Sequence, residues 1–128
     1  MLEYSKEQEM SEKPRIDMTL YNMQSEISKT LANPIRLAIL HSLRDGEKSV
    51  NELTAILGIS QSNLSQHLAL MRERGILTTR REGLNIFYSL SNPKITLACD
   101  LMRQVLLEHL EAGAELVRER NTKKENEA

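Results

Sequence analysis

The sequence predicts a mainly α-helical domain that carries one β-hairpin. Aromatic residues make up 3% of the 128 residues and tryptophan is absent. A core of this composition is built from aliphatic side chains, which favours packed helices over a β-sandwich or barrel. Apolar residues recur at helical spacing along most of the chain, and only the stretch 76–90 has the β-rich pattern of paired strands.

Composition narrows the class of protein further. The net charge of −1 argues neither for nor against a nucleic-acid partner. No apolar run approaches the length that spans a bilayer, and the first fifteen residues have no signal-peptide pattern. A single cysteine, Cys99, excludes an internal disulfide bond. We therefore expect a cytoplasmic protein with no membrane partner, made of a flexible arm (1–15), one domain (16–118) and a flexible charged tail (119–128).

The first two helices are predicted from an apolar stripe and a proline. At 100° per residue, apolar side chains line one face from Ile16 to Leu31. Pro34 suits the first turn of a second helix, and Asp45-Gly46 is typical of its end.

The next two helices form the strongest motif in the chain. Ser49 and Glu52 have the spacing of a capping box at the start of a short helix, which Gly58 ends. Ser60 can then cap a helix that continues to about Arg74. Two helices joined by so short a turn form a helix-turn-helix, whose second helix can enter the major groove of DNA.

A hairpin and a long helix complete the prediction. Segments 76–81 and 84–90 are predicted strands joined by a turn at Glu82-Gly83, and an apolar stripe from Ile95 to Val117 predicts the last helix. A hairpin directly after a helix-turn-helix is a wing. The predicted fold is therefore a winged helix-turn-helix flanked by N- and C-terminal dimerisation helices.

The second helix of the motif has a face suited to reading bases. Leu64, Leu68 and Met71 mark its buried direction. The outward positions carry small or amide side chains, namely Ser62, Ser65, Gln66 and Ala69, with Gln61 and Asn63 at the helix start. Asn and Gln pair with adenine, and Ser bonds to phosphate or base. The predicted DNA contacts in this helix and the wing are Gln61, Ser62, Asn63, Ser65, Gln66, Arg72, Arg80, Arg81 and Asn85. The alternatives are a solvated polar face and a solubilising surface hairpin.

These segments together resemble the ArsR/SmtB family of small winged-helix repressors. The matching stretches are 31–40, 52–53, 58–68, 80–83 and 88–90, and their order and spacing agree over about residues 16–118. The resemblance implies a homodimer formed by the first and last helices, an inverted-repeat operator, and release from double-stranded DNA when a metal ion or another inducer binds. The two apolar stripes support the dimer independently.

The metal ligands that the resemblance implies are absent. The stretch after Glu52-Leu53 has no thiol, and Asp100 is followed at the family's spacing by Met102 rather than His. We therefore expect no metal cofactor. Cys99, Glu108 and His109 are left as sensor candidates, with a structural thiol and a packed histidine as the alternatives.

The remaining histidines and methionines are interpreted as structural. His67 is expected to pack beside the buried side of its helix, and His41 is treated in the same way. Met23, Met71 and Met102 lie on apolar stripes and are expected in the core.

Enzymatic motifs are not found. The sequence has no phosphate-binding glycine loop, nucleophile elbow or paired-carboxylate signature. The class that competes with a DNA-binding regulator is a winged-helix module that docks another protein without a DNA operator. Such a surface should carry large apolar anchors, which the outward face of the second motif helix does not.

Overall fold

The computed structural model describes residues 16–127, so the predicted arm at 1–15 and the last residue lie outside the described part. The described residues form five helices and a three-stranded sheet. In chain order these are α1 (Met18–Leu31), α2 (Pro34–Ser42), β1 (Lys48–Ser49), α3 (Val50–Leu57), α4 (Gln61–Glu73), β2 (Leu77–Glu82), β3 (Asn85–Leu90) and α5 (Lys94–Glu127). The predicted winged helix-turn-helix is confirmed, and α5 forms a unit of its own.

Short polar side chains set the start of the first two helices. Asp17 caps α1 by accepting a hydrogen bond from the amide of Thr19 at 3.0 Å. Asn33 caps α2 in the same way, with the amide of Ile35 at 2.9 Å, and Pro34 occupies the first turn. Both caps satisfy amide groups that a helix start leaves without a backbone partner.

The core lies where α2, α3 and α4 pack together and meet the start of β2. It is aliphatic, as the composition predicts, and Met71 is its one buried methionine among the described residues. The buried apolar side chains are Ile39, Leu40, Leu43, Leu53, Leu64, Leu68, Met71, Ile76 and Leu77.

The sheet has the order β1-β3-β2, with both pairs antiparallel. Glu82 pairs with Asn85, so the two turn residues are Gly83 and Leu84 and not the predicted Glu82-Gly83. Gly83 has φ of +61°, which glycine adopts without strain. The two-residue strand β1 was not predicted, because it is too short to carry a periodic pattern.

Several predicted core positions are exposed in the single chain. Met23 and Met102 are each 64% exposed, so the prediction that both lie in the core is wrong for one chain alone. His41, interpreted as structural, is also exposed, as is Ile56 of α3. The physical reason is that helical periodicity identifies an apolar face of a helix. It does not indicate whether residues of the same chain bury that face.

Helix α5 is longer than predicted. It has 34 residues, about 51 Å at 1.5 Å per residue, and continues through most of the segment predicted as a flexible tail. No proline or glycine follows Gly113, and Glu, Arg and Lys favour helix, so no local signal ends the helix at Arg118. No helix within residues 16–127 is both long and apolar enough to cross a membrane.

Candidate nucleic-acid interface

The helix-turn-helix is fixed by hydrogen bonds at both ends of α3. The Glu52 amide donates to the Ser49 hydroxyl, and the Ser49 amide donates to the Glu52 carboxylate, both at 3.2 Å. At the other end Gly58 adopts φ of +65° and ψ of 31°, and its amide donates to the Thr54 carbonyl. This left-handed residue turns the chain toward α4, so both predicted signals of the motif are confirmed.

Helix α4 is anchored by one fully buried row of side chains. Leu64, Leu68 and Met71 have no exposed surface and pack in the core with α2 and α3. Ser60 caps the helix by accepting a hydrogen bond from the Asn63 amide at 3.3 Å. Because this row is buried, packing in the core fixes the rotation of α4 about its own axis. It therefore also fixes which side chains of α4 face solvent.

The opposite side of α4 is exposed and carries small or amide side chains. We define the reading face as Ser62, Ser65, Gln66 and Ala69 on this side together with Gln61 and Asn63 in the first turn, all exposed. The first acidic residue of α4 is Glu73, in the last turn, where Arg72 is also exposed. The helix thus presents donors, acceptors and a methyl group without a negative charge along its first three turns, as contact with base edges requires.

A polar contact joins α4 to the end of α1. Arg36 of α2 donates from Nε to the carbonyl oxygen of Thr30, and its Nη1 lies 3.4 Å from Nδ1 of His67. A guanidinium only donates, so Nδ1 of His67 is the acceptor in this contact. His67 is half-buried in this contact, in accordance with the prediction that it packs.

Arg74, at the C-terminal end of α4, forms an ion pair with α1. Its guanidinium lies 3.2 Å from the carboxylate of Glu26 on α1, and Lys29 lies 3.2 Å from the other oxygen of that carboxylate. The hydrogen bond from Lys29, together with the charges of Lys29 and Arg74, lowers the pKa of Glu26.

Arg80 of the wing has carboxylate partners within the chain. Its Nη2 and Nε lie 2.6 and 3.1 Å from the two carboxylate oxygens of Glu47, and its Nη1 lies 2.9 Å from Glu82. The guanidinium also stacks 4.7 Å from the centre of the Phe87 ring. These hydrogen bonds raise the pKa of Arg80 and lower that of Glu47.

The tip of the wing is open to solvent. Arg81 and Asn85, both predicted DNA contacts, are exposed, and Arg81 forms no ion pair within residues 16–127. Leu84 lies in the turn and is fully exposed, whereas the sequence analysis placed it in the second strand. The signal available for it was an apolar residue directly after the glycine of a predicted turn.

The sensor candidates lie on α5. Cys99 is half-buried, and Glu108 and His109 are exposed. They are roughly 14 Å from Cys99 along the helix axis, so one helix cannot bring them together with the thiol. Burial and the nearby charge of Asp100 raise the pKa of Cys99. Within residues 16–127 no three His, Cys, Asp or Glu side chains converge as metal ligands, and the absence of a metal cofactor stays a prediction.

Comparison with known proteins agrees with this geometry. Residues 33–79 match the family described as bacterial regulatory protein, arsR family. The transcriptional activator HlyU of Vibrio cholerae is 44% identical over 77 residues, which are 60% of this chain and 71% of HlyU. The biofilm growth-associated repressor of Xylella fastidiosa is 41% identical over 92 residues, 67% of this chain and 81% of that repressor.

Solved structures agree as well. HlyU from Vibrio cholerae superposes with a TM-score of 0.61 at 40% identity, over 66% of this chain and 92% of HlyU. A homodimeric winged helix-turn-helix DNA-binding domain from Mycobacterium bovis has a TM-score of 0.68 at 28% identity, over 78% of this chain and 93% of that domain.

The fold and the reading face define a winged helix-turn-helix protein that binds DNA. The chain belongs to the arsR family of bacterial regulatory proteins. It is therefore a transcriptional regulator and not an enzyme.

Proposed function

We propose that the protein is a homodimeric repressor that binds an inverted-repeat operator and leaves it when an inducer binds. The observation that carries the proposal is the reading face of α4, which is exposed, free of acidic side chains until Glu73, and held in place by a fully buried row. A surface that docked a protein would carry large apolar or aromatic anchors at these positions.

The exposed apolar faces of α1 and α5 support the dimer. Large apolar side chains are more than half exposed along both helices, and surfaces of this kind mark association sites. On the predicted apolar stripes they are Leu20 and Met23 of α1 and Met102, Leu106, Leu110 and Val117 of α5. The Mycobacterium bovis neighbour is described as homodimeric, and a dimer matches the two-fold symmetry of an inverted repeat.

We assign base reading to the amide and hydroxyl side chains of α4. Gln66 and Asn63 can each donate and accept toward one adenine edge, and Gln61, Ser62 and Ser65 lie beside them. Phosphate contacts are assigned to exposed cationic or amide side chains at the ends of these elements, Arg72, Arg81 and Asn85.

Repression is favoured by the names of two relatives. The Xylella fastidiosa relative is called a repressor, as is the PagR protein of Bacillus anthracis, whereas HlyU is called an activator. A promoter–reporter assay with and without the protein distinguishes the two signs of regulation.

The inducer is proposed to be a thiol-reactive species, a metal ion or another small ligand. The positions that the family resemblance marks as metal ligands carry Thr54-Ala55-Ile56 and Met102, and these offer neither thiolate nor imidazole. Tetrahedral zinc requires such ligands, so the residues present do not fit that site and we derive no step through a metal. Cys99 is the candidate for a thiol-reactive inducer.

The decisive experiment is a mobility-shift titration of the full chain with duplex DNA from the region upstream of its own gene, in parallel with selection from a random duplex pool. We expect saturable binding to one sequence with two-fold symmetry, lost when the two half-sites are scrambled. Failure to bind any duplex at low salt would overturn the proposal and leave the protein-docking module as the function of this fold.

A further inference from the structure

The two adjacent arginines of the wing have different surroundings, although the sequence suggests the same task for both. We propose that Arg80 is a positioning residue that fixes the wing across the sheet, and that Arg81 is the one of the two that contacts phosphate. The second half of this inference rests on the proposed DNA binding, and the first half does not.

The guanidinium of Arg80 is already bound to two carboxylates within the chain. All three guanidinium nitrogens donate to carboxylate oxygens, two to Glu47 and one to Glu82. The paired bonds to Glu47 are the geometry in which arginine and carboxylate bind most strongly. One face of the guanidinium is also covered by Phe87. Three of the five N–H donors of the guanidinium are therefore bound within the chain, and a phosphate could take these three only by displacing both glutamates.

The position of the Arg80–Glu47 pair in the sheet shows which strands it connects. Phe87 on the central strand β3 is opposite Arg80 of β2 on one side and Ser49 of β1 on the other. Glu47 lies directly before β1. The Arg80–Glu47 pair therefore connects the two outer strands across the middle strand, with the Phe87 ring beside it.

The cross-strand row of Arg80, Phe87 and Ser49 ends at the helix-turn-helix. Ser49, at the end of β1, is also the N-cap of α3 and half of its capping box. Anchoring β2 to the loop before β1 thus fixes the hairpin relative to the start of the motif. The base of the wing is held by the buried Leu77, whereas the turn residues Gly83 and Leu84 are exposed, so the connection through Arg80 adds a second anchor nearer the tip.

Arg81 has the opposite environment. Neighbouring residues in a strand point to opposite sides, so Arg81 lies on the other side of the hairpin from Arg80, opposite Ile86. It is exposed and forms no ion pair within residues 16–127. The cluster of Arg80, Glu47 and Glu82 carries a formal charge of −1, whereas Arg81 presents an unneutralised positive charge.

The positioning role is tested first without DNA, by amide hydrogen exchange of the hairpin in the full-length free protein. Arg80→Gln and Arg80→Lys remove the paired bonds from one side, and Glu47→Gln removes them from the other. We expect about two- to fivefold faster exchange of the β2–β3 amides in all three, the range for a lost exposed ion pair. Arg81→Gln and Asp45→Asn, which make the same charge changes nearby, are the matched controls and should leave this exchange unchanged.

The division of roles is tested with a mixed-sequence duplex of about 30 base pairs, long enough for two half-sites and their flanks. Arg81→Gln should weaken binding and reduce the salt slope by about 1.8, since each phosphate contact contributes about 0.9 and the dimer loses one in each half-site. Arg80→Lys keeps the charge but not the paired bonds, so we expect about two- to fivefold weaker binding with an unchanged slope. A phosphate contact at Arg80 would instead survive the change to lysine.

Glu47→Gln distinguishes a positioning role of Arg80 from a phosphate contact, because the two roles predict opposite changes in DNA affinity. If Arg80 is a phosphate contact masked by Glu47, removing that carboxylate frees it, and binding becomes tighter and more salt-dependent than in Asp45→Asn. If Arg80 positions the wing, Glu47→Gln binds more weakly than Asp45→Asn. The first result, or hairpin exchange unchanged in Arg80→Gln and Glu47→Gln, overturns the proposal. A wild-type protein that binds no duplex would overturn the proposed function and leave the exchange result to decide the role of Arg80.

Discussion

The carboxylate of Glu26 lies 3.2 Å from the guanidinium of Arg74, although 48 residues separate them in the chain. Glu26 belongs to α1, and Arg74 caps the C-terminal end of α4. Lys29 binds the second oxygen of the same carboxylate, so each oxygen has a cation. The ion pair joins α1, which has an exposed apolar face, to α4, which carries the reading face. It therefore connects the proposed dimer surface to the proposed DNA surface.

This pair makes stability depend on pH with a definite sign. The pKa of Glu26 is lowered in the folded chain, so its contribution to stability is present above the ordinary value of 4.5 and is lost as the pH falls through the lowered value. We expect Glu26→Gln to melt below the wild type at neutral pH and to converge with it in acid. Since Lys29 is the larger cause, NMR titration of the Glu26 carboxyl should show a larger upward pKa change in Lys29→Ala than in Arg74→Ala. The reverse order would contradict the assignment.

Substitution of Leu106 tests the proposed dimer surface. Leu106 is 55% exposed in the single chain and lies on the apolar stripe of α5. Leu106→Glu would bury an unpaired charge between two chains, so we expect monomers or aggregates by light scattering. Gln104→Glu adds the same charge on the opposite side of the helix and should remain dimeric. A dimeric Leu106→Glu would place the interface elsewhere.

Gln66 tests the reading face. We expect Gln66→Ala to weaken operator binding by roughly 1–3 kcal/mol, the range for a good bidentate base contact. Binding to a scrambled duplex at the same salt should barely change, because phosphate neutralisation supplies most of that affinity. Thermal stability should be maintained, since Gln66 is exposed and alanine favours helix. Equal losses on both duplexes would reduce Gln66 to a backbone contact.

Gly58 tests the turn of the motif. A Cβ at this position meets no atom within 4 Å, so the cost of a side chain there comes from the backbone conformation alone. With φ of +65°, Gly58→Ala should destabilise the fold by about 1–2 kcal/mol in urea unfolding. Gly58→Asn should cost less, because asparagine tolerates the left-handed conformation better. Equal costs for alanine and asparagine would point to a cause other than backbone conformation.

Cys99 tests the sensor hypothesis. Burial, with a smaller contribution from Asp100, raises the pKa of its thiol, so the thiolate is scarcer at neutral pH than in an ordinary cysteine. We expect alkylation by iodoacetamide to be slower than for a free thiol in an unfolded peptide and to accelerate as the pH rises. Fast alkylation at neutral pH, together with loss of DNA binding, would identify Cys99 as the sensor.

The helix-turn-helix could be predicted from the sequence because its signals are local. The capping box of Ser49 and Glu52, the left-handed Gly58 and the Asn33 cap before Pro34 each depend on residues at most four positions apart. The buried row of α4 follows from helical periodicity alone. These features of the fold and of the reading face were therefore predictable from one sequence.

Other features were decided only by the tertiary structure. The Arg80–Glu47 pair joins residues 33 positions apart, and β1 exists because Lys48 and Ser49 meet β3. Neither has a local signature, since a charged side chain has the same pattern in sequence whether it is solvated or paired. Periodicity likewise marks an apolar face without saying what covers it. The amino-acid sequence by itself thus determined which surfaces the helices have, and the packing of distant segments decided which arginine of the wing is left free.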